Sequence, residues 1–299
     1  MKLTAIAFAV LGSAVVFAQA PQQDFSQVQI KTNKVADNFY TLDGQGGTIG
    51  VLTGPDGVLM VDAQFAPLTD KIVAAIKQVS DGRIRFLINT HVHGDHTGGN
   101  ENLGKMGVTI LARENLRKRL ISPNPGANGQ PTPSAPAAAL PVITYDAPLT
   151  IHMDGEDIRV IPIPAAHTDG DTIVFFPKAN VLMTGDFYRS IQFPNIDRAN
   201  GGSLKGMLDG LNAVIALANA NTKIVPGHGP TVDKTAVAAH RDMILAIRDK
   251  VQALVNQNKT QDEVVAAKPA ADYDAKVQQP GTTADRFVGQ VYQELKGGR

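Results

Sequence analysis

The 299-residue chain contains no cysteine. Disulfides are excluded, and any metal ion would have to be held by nitrogen and oxygen with no thiolate. A chain of this length buries a large core without cross-links, so their absence needs no special explanation. Net charge is missing as well, since 28 Lys and Arg balance 28 Asp and Glu. A neutral chain offers no electrostatic footprint for nucleic acid or an anionic membrane. No obligate protein partner is evident either. Long apolar runs are confined to one place, the first twenty residues.

That segment, MKLTAIAFAVLGSAVVFAQA, opens on Lys2, continues as an apolar run and closes on Ala18-Gln19-Ala20. A charged start, a short apolar core and a small-x-small site are the anatomy of a secretory signal peptide. The run is short for a membrane span. The expectation is cleavage after residue 20, with residues 21–299 exported to the periplasm or secreted as one soluble domain. Only Lys2 among the basic residues lies in the segment, so its removal leaves 27 bases against 28 acids.

Along the rest of the chain, FYTLDG, GTIGVLT and VLMVD (residues 39–62) read as short strands, and GPDG between two of them is a hairpin signal. LTDKIVAAIKQV (68–79) carries Ile72, Val73, Ile76 and Val79 at helical spacing. RIRFLINT (83–90) then reads as a buried strand. A second copy of the plan is visible: TIGVLTGPDGVLMVD (48–62) lies over TIVFFPKANVLMTGD (172–186) with one residue dropped in the turn. Each copy runs hairpin, VLM, acid, helix, and a strand ending in histidine. A helix between sequential strands favours a layered α/β architecture built from two related half-domains.

Between the halves lies SPNPGANGQPTPSAPAAALPVITYDAP (122–148), whose seven prolines exclude a helix or a central strand. Two readings are open for it, a surface excursion or a loop bordering a site. The C-terminal third is helical: residues 234–256 have the periodicity, Thr260 to Glu263 (TQDE) is a capping-box signal, and Phe287, Val291, Tyr292 and Leu295 share one stripe.

Chemistry concentrates in THVHGDHTGG (90–99). Three of the seven histidines stand there with an aspartate: His91, His93, Asp95 and His96. Residues two apart on an extended strand end face the same side, so His91 and His93 can grip one ion. Gly94, lacking Cβ, lets the chain turn so that Asp95 and His96 face a neighbouring ion. Three partners follow other strand-like runs: His167 in IPIPAAHTDGD, Asp186 in VLMTGDFY and His228 in IVPGHGP. They complete two sites: His91, His93 and His167 on one zinc, Asp95, His96 and His228 on the other, with Asp186 able to bridge both. His152, in a probable turn (IHMDG), and His240, on an amphipathic helix, are given solvated or packing roles.

HVHGDH, a downstream histidine, GD and PGHG together resemble the metallo-β-lactamase-fold hydrolases in order and spacing, over roughly residues 35–295. The resemblance implies a four-layer αββα sandwich and a metal-dependent hydrolase with two Zn2+ per chain. It also implies that Asp62, the counterpart of Asp186 in the first half, lies behind the histidine loop and orients a ligating ring. Two zinc ions a few ångströms apart would make hydroxide available at neutral pH to attack a carbonyl, with Asp95 orienting it and no serine or cysteine nucleophile required. Tyr188, Arg189 and Asn195 are the candidates for contacting a small-molecule substrate. GQGG (44–47) reads either as a flap or as a tight turn.

Export makes β-lactam ring hydrolysis the first expectation for the reaction, with lactone (acyl-homoserine lactone type) or thioester hydrolysis as the alternative. The chain departs from the best-known β-lactamases, one subclass of which uses a cysteine at the second zinc. A bridging aspartate is more typical of the lactonases and thioesterases. A third reading, a periplasmic metal-dependent binding or relay protein without turnover, is opposed by the complete ligand set.

Overall fold

The computed structural model describes residues 24–125, 130–277 and 281–297. The expected signal segment 1–20 lies outside the described residues. Among the described residues, no helix is long and apolar enough to cross a membrane.

Two sheets carry the chain. The first holds, in spatial and sequence order, β1 (Lys31–Ala36), β2 (Phe39–Asp43), β3 (Ile49–Gly54), β4 (Gly57–Val61), β5 (Ile84–Ile88), β6 (Thr109–Arg113) and β7 (Ile143–Tyr145). Its strands are antiparallel up to β4 and parallel from β4 to β7. The second sheet runs β12-β11-β10-β9-β8, from β8 (Leu149–Met153), β9 (Glu156–Pro162), β10 (Thr172–Phe176), β11 (Val181–Met183) and β12 (Lys223–Val225). The helices are α1 (Thr69–Lys77), α2 (Gly94–Thr97), α3 (Asn100–Lys105), α4 (Glu114–Ile121), α5 (Leu204–Leu217), α6 (Lys234–Asn256), α7 (Gln261–Ala266) and α8 (Ala284–Lys296).

Side-chain alternation in the strands sorts the apolar residues into layers. Leu52, Leu59, Val61, Ile88 and Leu111 of the first sheet meet Val160, Val174, Phe176, Val181, Met183 and Val225 of the second in a central core. The intervening residues Val51, Val58, Met60, Leu87 and Ile110 face outward and pack on Ile72 and Ile76 of α1 and Leu103 of α3. On the other side Ile173, Phe175, Leu182 and Ile224 pack on α5, α6 and α8. The order of layers is therefore helix, sheet, sheet, helix, as expected.

The repeat in the sequence is a repeat in topology. β3 and β4 form an antiparallel hairpin and β4 pairs parallel with β5; β10 and β11 form the matching hairpin and β11 pairs parallel with β12. The GPDG turn closes on a Gly54–Gly57 pair, and Gly57 sits at φ +119°, a conformation that a side chain would strain. Helix α6 spans the expected 234–256, and the Thr260–Glu263 capping box is formed at α7. His152 differs from expectation: it lies on β8 and the turn follows at Asp154–Gly155, because the alternation LTIHM continues one residue pair further. Within the proline-rich stretch only β7 at the sheet edge and a single 3-10 turn, Ala137–Ala139, take regular form among the described residues, which is where missing N–H donors are tolerated.

Candidate metal centre

The seven candidate metal ligands all lie in connections that follow the C-terminal ends of strands. β5 delivers the histidine loop and β11 delivers Asp186, while β12 delivers His228. His91 and His93 lie in the connection after β5. His93 then serves as the residue before α2, with extended backbone (φ −63°, ψ 148°), and Asp95 and His96 occupy the first turn of that helix. The turn is thus a helix start and not a glycine bend. A Cβ on Gly94 would meet nothing within 4 Å, so its freedom is not what reverses the chain.

The side chains converge as two groups. Ligand atoms of His91, His93, His167 and Asp186 lie within 4.8 Å of one another, as do those of Asp95, His96 and His228. His93 Nδ1 is 2.9 Å from His167 Nε2. Asp186 lies between the groups: Oδ1 is 3.2 Å from His96 Nε2, and Oδ2 is 3.3 Å from His228 Nε2, 3.8 Å from His167 Nε2 and 3.9 Å from His91 Nε2. Asp95 Oδ2 is 3.1 Å from His228 Nε2.

Four of the five histidine rings have the outward nitrogen engaged. His96 Nδ1 meets Asp62 Oδ2 at 2.7 Å, and Asp62 in turn accepts from Thr90 N–H and Thr90 Oγ1. His91 Nδ1 faces Thr90 Oγ1 at 3.1 Å. His167 Nδ1 meets the Asn195 carbonyl at 2.7 Å, and His93 Nε2 meets Asp197 Oδ2 at 2.7 Å. With one nitrogen of each of these four rings fixed outward, the other is aimed inward. There His91 Nε2, His96 Nε2 and Asp186 Oδ1 are buried without a hydrogen bond. A buried polar atom left unpaired costs roughly 1–3 kcal/mol, so three in one spot fit a divalent ion that takes their lone pairs.

Electrostatics divide the cluster. Burial, with the charge of His96 beside it, holds His91 well below the ordinary imidazole range, and burial pushes His167 down to about 3. Burial opposes the charge of His96 too, but Asp62 and Asp186 outweigh it and hold the ring well above its usual value. His228 is raised against burial by Asp186 and Asp95. Burial would raise both acids, yet Arg189, His96 and His228 keep Asp186 well below the carboxylate range, and the His228 hydrogen bond and His96 bring Asp95 to about 2. His91 and His167 are thereby held as neutral rings, while His96 and His228 are pushed toward the protonated form where a cation would sit.

Glycine makes the close packing feasible. A Cβ on Gly47 would lie 2.1 Å from the His96 ring, and Gly47 N–H donates to the Asp95 carbonyl while its own carbonyl accepts from Gln64 Nε2. GQGG is therefore a turn pinned on the histidine loop. The proline-rich stretch reaches the site's border, since Asn124 Nδ2 donates to the Ala199 carbonyl and to Asn200 Oδ1, and Asn200 Nδ2 donates to Asp197.

Of the residues expected to meet substrate, two are placed differently. Tyr188 is buried, with its ring edge-on to His240 at 5.0 Å, away from the cluster. Asn195 is also buried: its Oδ1 accepts from Gln290 Nε2 and its carbonyl positions His167, so its groups are engaged inside the protein. Arg189 is beside the cluster but paired, through Nε at 2.9 Å and through Nη2, with Asp186 Oδ2, and through Nη1 with Gln192 Oε1. Adjacency to Asp186 in sequence did not fix which side each chain would face. His152 is exposed and paired with Asp157.

Two positioning acids escaped sequence reasoning. Asp197 stands 104 residues from the ring it orients, in a loop with no motif. Asp171 is buried and accepts from the His167 and Thr168 N–H groups and from Thr168 Oγ1, closing the turn that presents His167. The run HTDGDT carried the only signal for it, an acid four residues after a ligand.

The metallo-beta-lactamase superfamily model matches residues 42–237. A linear primary-alkylsulfatase from Pseudomonas sp. is 23% identical over 297 residues, covering 83% of this chain and 55% of that protein. A hydroxyacylglutathione hydrolase from Nitrosococcus oceani is 27% identical over 198 residues, 66% of each chain. The chain thus spans little more than half the length of the first of these relatives. Among solved structures, the inverting sec-alkylsulfatase Pisa1 from Pseudomonas sp. superposes with a TM-score of 0.65 at 18% identity, over 88% of this chain and 50% of that one. A metallo-β-lactamase from Pontibacter korlensis superposes with a TM-score of 0.58 at 18% identity, over 73% and 99%. Those likenesses are of fold. The family match, over most of the chain and including all seven converging ligand residues, makes the chain a member of the metallo-β-lactamase superfamily.

Proposed function

We propose that this chain is an exported hydrolase using two zinc ions, acting on a small acyl substrate of the lactone or thioester class. The observation carrying the reading is the Asp186 carboxylate, set between two groups of nitrogen and oxygen ligands that each have the makings of a site. His91, His93 and His167 would hold one ion, Asp95, His96 and His228 the other, and Asp186 would touch both. Two divalent ions so held supply a water nucleophile at neutral pH and Lewis-acid polarisation of a carbonyl. Asp62, Thr90, Asp197 and the Asn195 carbonyl keep the rings aimed. Asp95, partly exposed and hydrogen bonded to His228, would orient the nucleophile. Arg189 holds Asp186 ionised and stands ready to meet a substrate carboxylate if that pairing opens.

β-Lactam ring opening ranks second, because a bridging aspartate in place of a cysteine or an open position is more typical of the lactonases and thioesterases than of the best-known β-lactamases. The likeness to a hydroxyacylglutathione hydrolase supports an acyl substrate. The likeness to alkylsulfatases, which extends over more of the chain, supports including a sulfate ester. The test begins with the mature chain purified without chelator. Metals are counted per chain, and an acyl-homoserine lactone, an acyl thioester, an alkyl sulfate and a β-lactam are assayed on one sample. Two zincs with lactone or thioester turnover at least 100-fold above the others is the expected result. Dominant β-lactam or alkyl sulfate turnover would replace the substrate class, and one metal or none would remove the two-ion reading.

A further inference from the structure

Just past β4 the chain accepts two unfavourable features at one residue. Asp62 and Gln64, two of the first three residues beyond that strand, take left-handed backbone, with φ of 64° and 48°. Glycine enters that region freely, whereas a residue with a side chain is strained there. Asp62 has its reason in the His96 ring that it orients. Gln64 is buried as well, and its Oε1 has no hydrogen-bond partner among the described residues. An unpaired buried amide oxygen adds a second cost. Strain of this kind persists where a site depends on it.

Gln64 holds the frame of the second ligand group. Its Nε2 donates to the Gly47 carbonyl at 2.8 Å. Gly47 N–H in turn donates to the Asp95 carbonyl at 3.1 Å, and Gly47 packs flat against the His96 ring. On its other side the Gln64 carbonyl accepts from Gly99 N–H at 2.9 Å, just past α2, and the adjacent Ala63 N–H donates to the His96 carbonyl at 2.8 Å. The left-handed backbone thus lets one residue send its side chain to the 44–47 turn and its carbonyl to the exit of α2. Between those two points stand Asp95 and His96. A four-residue helix closes too few hydrogen bonds of its own to hold a ligand pair in place, so it needs such a bracket. Gly44 completes the fit, because a Cβ there would come within 2.7 Å of Gln64 Oε1. The rings of His91, His93 and His167 are aimed by other groups, Thr90, Asp197 and the Asn195 carbonyl.

We infer, resting on the two-ion reading, that Gln64 is a positioning residue for the second ion alone, setting Asp95 and His96 through the Gly47 turn and α2. The experiment titrates zinc into the stripped chain and follows the ring nitrogen resonances of its histidines. His91, His93 and His167 report one group, and His96 and His228 report the other. Gln64→Met keeps the side-chain length and removes the donor, and Gln64→Gly also relieves the backbone. In both, zinc affinity at His96 and His228 should fall by roughly tenfold or more, the range for partners that orient ligands, while affinity at the three-histidine group stays at the wild-type value. A residue that merely fills space would weaken both groups together or neither. In the wild type, the Gln64 side-chain amide resonance should shift in step with His96 and not with His91, a readout that needs no variant to fold. Parallel weakening of both groups, undiminished affinity at His96 and His228 in a folded Gln64→Met chain, or an amide that ignores the filling of His96 would each overturn the role of Gln64. A wild-type chain that fills a single group refutes the two-ion reading itself, and the inference falls with it; the wild-type titration separates the two failures.

Discussion

Asp62 and Asp186 occupy matching places in the two half-domains, each just past a strand that reads VLM, yet they do opposite work. Asp62 stands behind the histidine loop. Both its oxygens are used, by Thr90 N–H, Thr90 Oγ1 and the outer nitrogen of His96. Asp186 faces the inner nitrogens of the same loop, with one oxygen left without a hydrogen bond. One half therefore aims a ligand and the other supplies one. A duplicated strand plan fixes where an acid stands, and the neighbours around it fix whether that acid holds a ring or a metal.

Removing the inward acid should do the most damage. Asp186→Ala leaves the two ligand groups unbridged and Arg189 without its carboxylate, so activity should fall by more than the roughly 100-fold ceiling typical of outer partners. Retained hydrolysis of every substrate would refute the bridged site. Asp62→Asn keeps the shape but weakens the hold on His96, and metal affinity should drop by roughly 10- to 100-fold, read by chelator competition. If Asp62→Asn equals Asp186→Ala in effect, the contrast between orienting and ligating fails. Asp197→Asn should sit at the low end of that range, roughly tenfold, because the His93–Asp197 pair is partly exposed to solvent.

The smallest and most diagnostic effect is that of pH on the chelated protein. His96 has its folded pKa raised by Asp62 and Asp186 against the opposing effect of burial. Its stabilising charge is fully present below the unfolded value near 6.5 and is lost as pH rises through the folded value. His167 is shifted the other way by burial, to about 3, so the unfolded chain takes up a proton first and stability falls as pH drops from 6.5 toward 3. Thermal midpoints of the chelated chain should decline on both sides of neutrality, and zinc should flatten the profile by replacing the protons. Asp62→Asn should remove part of the alkaline limb and leave the acid limb in place. Loss of both limbs would mean that the two ligand groups do not titrate separately.

Much of this was legible in the chain. His91, His93, Asp95 and His96 are crowded into six positions, and crowding of that kind survives any folding detail. The unbroken apolar runs in VLM, FLI and IVFF announced strands with two buried faces, and the repeated order of elements announced two halves. What failed was local geometry. Gly94 was assigned a turn that a helix start performs, and His152 was read into a turn that begins two residues later. Tyr188 and Arg189 are neighbours in sequence, but one packs under α6 and the other turns to Asp186.

The sequence by itself determined the layers, the duplication and the identity of the seven ligand residues, because periodicity and residue chemistry are properties of the chain taken locally. Only the tertiary structure decided the partners. Asp197 reaching His93 across 104 residues, the Asn195 carbonyl on His167, Gly47 admitting the His96 ring and His240 sealed against Tyr188 all depend on how separate elements meet. Hydrogen bonds and close packing act over a few ångströms, so their partners exist only once the sheets and helices have brought distant residues together.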